Sequence, residues 1–345
     1  MRFLIRATIA LVVLAVLAGA GWAATWFVAA NRMESTLAEW AREPAAGTTA
    51  TLGDVTVSGF PTRLIADIAR IEVKQIDDPL GLTYTAGNLR ATRALTGGNV
   101  ALFVRGPQSI SYRADGEVRT LNVKADAFAL DLRNGEDGAF AGFGLTAGNI
   151  TVERPDAAPM TIRRLTLQMG MGTGPGALIP ERSRFALRID NLVLPEYRRG
   201  PLGDTIEVFS TNAQLVKGID SLSLATALPA WRDAGGYLAL VETLMKWGSL
   251  DLQGQGSGVL KLDEQLRPAG GMTVQLRDYL LTVDAFHAAR RLSDEARAAV
   301  QQLVSFLSTR GAGGRIGLMM EITNGEVVVG PATLGTVGPV LPTGG

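Results

Sequence analysis

The side chains that carry most protein chemistry are sparse in this sequence. His287 is the sole histidine and there is no cysteine, so a Ser-His-Asp triad or a two-His metal site could be built only around that one residue. In a helical stretch beside Arg290 and Arg291 it reads as an ordinary boundary histidine. The missing cysteines exclude disulfides, thiol nucleophiles and Cys-ligated zinc or iron–sulfur centres. The glycines at 170, 172, 174 and 176 superficially resemble a phosphate cradle. No lysine or helical pattern follows them, only Ala177-Leu178-Ile179-Pro180, so a hairpin connection is expected. Gly254 to Gly258 lacks the Ser-centred spacing of a nucleophile elbow. Asp77-Asp78 before Pro79 pairs two carboxylates that could touch a cation, but the dipeptide reads as a solvated turn. Arg198-Arg199 and Arg290-Arg291 read as solvated charge rather than lipid-headgroup sites, and Met169 with Met171, like Met319-Met320, as core filling. The expectation is a non-enzyme with no cofactor and no metal.

Composition narrows the partners. Lys plus Arg total 33 and Asp plus Glu total 33, so no basic surplus exists to hold phosphate backbones and nucleic acid is not expected. With 41 Gly and 6% aromatics, the chain suits many short strands and turns better than a helical bundle.

The elements that would position any site begin with an apolar N-terminus. Arg2 and Arg6 precede a span without charge from Ala7 to Asn31, which is long enough to cross a bilayer; roughly 20 apolar residues suffice. The positive-inside bias keeps Arg2 and Arg6 in the cytoplasm, and Trp22 and Trp26 fall at the far end, as interfacial aromatics do. Ala18-Gly19-Ala20 offers the competing reading of a cleaved signal. The apolar run continues past it through Trp26-Phe27-Val28, which favours an anchor over residues 1–31. Both readings export the rest of the chain, so a single-pass inner-membrane protein with a periplasmic C-terminal domain is expected. Met33, Leu37 and Trp40 continue the helix on one face from Arg32 to Arg42, and Pro44 with Ala45-Ala46-Gly47-Thr48-Thr49 ends it, so residues 32–50 read as a helical extension and hinge.

Residues 51–338 read as a β-rich domain. Leu165, Leu167 and Met169 alternate with Arg164, Thr166 and Gln168, and Phe185, Leu187 and Ile189 alternate with Ala186, Arg188 and Asp190. Leu250 and Leu252, Leu260 and Leu262, and Val274 and Leu276 repeat the pattern of half-buried antiparallel strands. Turns are marked at Asp115-Gly116, Asn134-Gly135, Asp137-Gly138 and Asn324-Gly325. Helices are predicted near 231–247, where Pro229 signals the start and Gly248 the stop, and over 279–309, in two segments. The second of these starts at Ser293 and would bury Ala296, Val300, Leu303 and Leu307. A Gly-rich stretch over 311–314 and a flexible tail over 339–345 complete the chain. The fold class is therefore mainly β with a few helices: an N-terminal transmembrane helix, then a long antiparallel, curved or groove-like sheet.

Gly59-Phe60-Pro61, the run from Trp247-Gly248 through Leu260-Lys261-Leu262-Asp263, then Pro268, Gly271, Leu280-Leu281 and the ending Asn324-Gly325 to Leu334-Gly335 resemble an uncharacterised alphaproteobacterial membrane-anchored family, domain of unknown function 2125. The stretch from Gly254 to Asp263 further resembles strand units of AsmA-like envelope proteins, whose sheets form apolar grooves implicated in lipid handling. These resemblances imply an envelope address and a groove-shaped sheet.

The expected partners are the membrane, through the N-terminal helix, and a lipid or other hydrophobic ligand on the greasy strand face. Leu165, Leu167, Leu187 and Leu252 are its candidate residues, with Arg164, Arg188 and Asp251 pointing to water. The alternative is a scaffold or assembly factor that binds envelope proteins through a sheet edge and helices.

Overall fold

The computed structural model describes residues 2–45, 47–76, 78–114, 116–135, 138–155, 157–172, 177–196, 199–221, 223–290, 292–295, 297–298, 301–302, 315–329 and 332–341. It opens with one unbroken helix, α1, Arg2–Arg42. Among the described residues no helix is long and apolar enough to cross a membrane. The sheet that follows contains β1 (Thr48–Leu52), β2 (Val55–Ser58), β3 (Arg63–Gln75), β4 (Thr83–Ala94), β5 (Gly97–Val104), β6 (Gln108–Ala114), β7 (Glu117–Lys124), β8 (Ala127–Asn134) and β9 (Phe140–Arg154). It continues through β10 (Ala157–Gly170), β11 (Arg184–Val193), β12 (Thr205–Val216), β13 (Tyr237–Trp247), β14 (Leu250–Leu262), β15 (Pro268–Arg277), β16 (Arg315–Thr323), β17 (Glu326–Val329) and β18 (Ala332–Thr336). Two short helices interrupt it, α2 (Leu224–Asp233) and α3 (Tyr279–Ala288).

The described strands form one antiparallel sheet. Several are halves of a longer strand: β1 and β2 both pair with β3, β5 and β6 both pair with β4, and β7 and β8 both pair with β9. From β9 to β18 each strand pairs with the next. The turns obey the local chemistry. At the β16–β17 hairpin, Asn324 and Gly325 have φ of 54° and 81°, the two successive positive values that a two-residue hairpin turn with the sheet's own twist requires.

The breaks in the longer strands line up. Gly53-Asp54 separates β1 from β2, Arg105 to Pro107 separates β5 from β6, and Ala125-Asp126 separates β7 from β8. Asn88, Asn149 and Asn191 take φ of 41°, 47° and 49° inside β4, β9 and β11, a left-handed conformation that asparagine tolerates better than most residues. Strict alternation would put Ala147 and Ile150 on opposite faces, as it would Ile189 and Leu192. The left-handed residue between them shifts the phase, and all four join one apolar cluster.

Two sequence expectations are corrected. Residues 237–247 are strand β13, not helix, and the helix lies earlier, over Leu224–Asp233. The cause is a bulge. Against β12 the pairing passes from Ala213–Leu240 directly to Asn212–Glu242, which leaves Val241 as an extra, unpaired residue, 57% exposed. That extra residue breaks the two-residue period, so Leu238, Val241, Leu244 and Met245 mimic a helical face. Pro229, read as a start signal, sits inside α2, and Gly235 (φ 76°) ends the helix. Asp78 is also not solvated: it is 5% exposed, its Oδ1 accepting from the Leu80 amide (2.8 Å) and its Oδ2 from Ser223 Oγ (2.8 Å).

The segment expected over 279–309 begins as predicted with α3, which buries Tyr279, Thr282, Val283 and Phe286 on one stripe. Arg290, with φ 55° and its amide donating to the His287 carbonyl, terminates that helix. Asp294, Glu295, Arg297, Ala298, Gln301 and Gln302 are helical beyond it; Ala296, Val300, Leu303 and Leu307 lie outside the described residues, as do 311–314 and 342–345.

Candidate functional site: an apolar sheet face

Directly opposed residues in an antiparallel sheet point to the same face, so register defines rows of side chains across strands. One row runs Phe128, Ala147, Leu165, Ile189, Phe209, Met245, Leu252, Leu276, Ile316 from β8 to β16. The next runs Leu130, Leu145, Leu167, Leu187, Thr211, Thr243 from β8 to β13. All four sequence candidates, Leu165, Leu167, Leu187 and Leu252, therefore lie on one face.

Their surroundings differ. Leu252 is 3% exposed, in a cluster with Val274, Leu276 and Ile316 that Tyr279, Val283 and Phe286 of α3 close. The Tyr279 hydroxyl donates to the Val329 carbonyl (3.3 Å), and Thr282 Oγ1 donates to the Ser249 carbonyl (3.0 Å), which pins α3 down. Burial raises the Tyr279 pKa. Leu165, Leu167 and Leu187 are half-buried, as are Leu145, Phe185 and Phe209 beside them. The cluster that contains Leu165 draws its described members from strands and the Ala125 connection, with no helical side chain. The same face is thus roofed by α3 over β14–β16, whereas the described cluster around Leu165, on β7–β11, includes no helical side chain.

The opposite face is polar. Arg164 pairs in register with Asp190, Arg188 Nη2 lies 2.8 Å from Asp190 Oδ1, and Asp251 sits between Arg277 and Arg315, each at 3.8 Å. Arg164, Arg188 and Asp251 therefore face away from the apolar rows, as alternation requires.

Other candidates resolve into structural contacts. His287 Nε2 lies 2.7 Å from Asp294 Oδ1, an exposed partner. Among the described residues no cluster of three or more His, Asp or Glu could hold a metal ion. A cleft of about 380 Å³ at the strand break is lined by Asp54, Asp67, Asn88, Arg90 and Arg105. Within it Arg90 donates two hydrogen bonds to Asp67 (2.7 and 3.1 Å), which raises the arginine pKa. Arg199 lies 3.7 Å from Asp204. Residues 173–176 of the Gly-rich loop, Asp77, Arg198 and Arg291 lie outside the described residues.

Sequence reading missed the line of strand breaks. A signal for it exists: Gly87-Asn88-Leu89, Gly148-Asn149-Ile150 and Asp190-Asn191-Leu192 repeat an asparagine before an aliphatic residue inside a strand. Asparagine is depleted from strand interiors, so three such placements mark special backbone.

A long antiparallel sheet with one apolar face, roofed by α3 over β14–β16, defines a mainly β, antiparallel protein. The chain belongs to the bacterial family DUF2125, described as an uncharacterized protein conserved in bacteria, which it matches over residues 26–338. No curated protein and no solved structure matches it.

Proposed function

We propose that this chain is a non-catalytic, single-pass inner-membrane protein whose periplasmic sheet holds an acyl chain or another hydrophobic ligand along β8–β12. The observation that carries the reading is the change of cover along one face: Leu252 lies under α3, whereas the described cluster around Leu165 holds no helical side chain, and Leu165, Leu167 and Leu187 stay half-buried. Four inter-strand steps of about 4.8 Å give this stretch a length of roughly 19 Å, enough for much of an acyl tail. Each methylene taken from water contributes about 0.8 kcal/mol, so a tail is held without any charged contact. The membrane address rests on the uncharged span from Ala7 to Asn31 behind Arg2 and Arg6.

Photo-crosslinking residues placed singly at Leu165, Leu167 and Leu187 test the reading in cells. Lipid adducts are expected there, with none at Arg164, Arg188 or Asp251, and protein-internal crosslinks at Leu252. Absence of lipid adducts at all three leucines, in variants that fold and are exported, refutes the ligand face and leaves the scaffold reading, for which β18, paired among the described strands with β17, offers an edge.

A further inference from the structure

We infer that the β1–β3 end of the sheet is itself a bilayer-contacting surface, with the Gly59-Phe60-Pro61 corner seated at the lipid headgroup boundary; this rests on the anchor reading above. The sequence suggests a hinge between anchor and domain, but α1 is fixed to the sheet. Trp22 Nε1 donates to the Pro61 carbonyl (2.8 Å) and Trp26 Nε1 to the Arg63 carbonyl (2.7 Å). Trp26 and Ala30 are buried against Leu64, with Met33 and Val57 packed around them, and the Phe60 ring meets Trp26 edge-on at 5.7 Å. The corner has little freedom of its own. Gly59 has φ 102°, and a Cβ there would stand 2.8 Å from the Arg63 carbonyl oxygen.

Because α1 is unbroken, its membrane depth fixes the depth of the corner. Counting from Ala7, a hydrocarbon core about 30 Å thick is crossed in roughly 20 residues, which ends it near Trp26 and Phe27. Arg32, the first charged residue after Arg6, then lies about 7 Å further, within the headgroup layer. Near this level the protein displays apolar side chains: Phe27 is 60%, Val28 52% and Phe60 54% exposed, with Trp22, about one helical turn deeper, at 42%. Phe27 and Phe60, both edge-on neighbours of the buried Trp26, are the exposed aromatics at that boundary, which suits the interfacial belt of a bilayer. Arg32 and Arg63 are exposed just beyond, where anionic headgroups lie. The partner is therefore a lipid surface, and β3 runs away from it.

The chain has no cysteine, so one introduced residue carries a unique spin label. We would label Phe60→Cys and Thr62→Cys in the full chain reconstituted into phosphatidylethanolamine–phosphatidylglycerol vesicles, with Val118→Cys as reference. Val118 is 69% exposed and belongs to β7, which joins β4 through β6 at the end of the strands away from Arg63. Collisions with oxygen are expected to exceed those with a water-soluble nickel chelate at positions 60 and 62, and the ratio to invert at 118. Thr62→Cys leaves the Phe60–Trp26 contact intact, so the test survives if Phe60→Cys fails to fold. Chelate-dominated collisions at both positions, in protein that resists carbonate extraction, overturn the corner contact while the anchor stands. Release by carbonate overturns the anchor and the corner together.

Discussion

Asp78 ties together parts of the chain that sequence separation would never connect. Its carboxylate is 5% exposed and accepts from the Leu80 amide (2.8 Å) and Ser223 Oγ (2.8 Å), with the Ala225 amide at 3.4 Å. Ser223 is the N-cap of α2 but makes no side-chain cap bond to that helix, so Asp78 supplies from another turn the negative charge that a helix N-terminus favours. A hydrogen bond to a charged group contributes roughly 1.5–3 kcal/mol, and part of that is offset because a buried carboxylate no longer needs desolvating once removed. Asp78→Ala should therefore cost about 2–4 kcal/mol. Asp78→Asn, which keeps the shape and one acceptor but loses the charge, should cost about 1–2 kcal/mol. Urea unfolding followed by tryptophan fluorescence reads the totals, and hydrogen exchange across Leu224–Asp233 reads the local loss. A double-mutant cycle with Ser223→Ala should show coupling of about 1 kcal/mol or more. If Asp78→Ala lies within about 0.5 kcal/mol of the parent, or the cycle shows no coupling, the tie is not energetic and the reasoning fails.

At the β14–β15 turn, burial raises the Asp263 pKa, but the Arg267 amide and guanidinium bonds (2.8 and 2.7 Å) outweigh it and leave the carboxylate below its ordinary range. The folded value lies below the unfolded one, so its stabilisation is present above about pH 3.9 and is lost as pH falls through the folded pKa. Urea midpoints measured from neutral to acid pH should show a shallower acid limb for Asp263→Asn, and an unchanged limb would count against the turn network. Gly142 in β9 has φ 145°, and a Cβ there would collide with the Met169 carbonyl oxygen, which is backbone and cannot turn aside. Gly142→Ala should cost roughly 2–4 kcal/mol in the same unfolding assay, and a cost under about 0.5 kcal/mol would contradict the close approach of β9 and β10.

The sequence by itself determined the antiparallel strands and their faces. Leu165, Leu167 and Leu187 share one face and Arg164 and Arg188 the other because a strand's side-chain period is two, a local property needing no partner. It also determined the Asn324-Gly325 turn and the start of α3 at Tyr279, both set within a few residues of chain. Tertiary structure decided the rest. The unpaired Val241 makes a strand with helical spacing, and a bulge exists only relative to the strands beside it. Asp78 looked like a solvated turn because its partners are 145 and 147 residues away. Leu252 and Leu187 read alike in their own strands, yet the first is buried under α3 and the second stays half-buried. An alternating strand specifies which side chains are apolar and which way they face; what lies against them is set by distant elements, because burial is a property of the assembled face rather than of the strand.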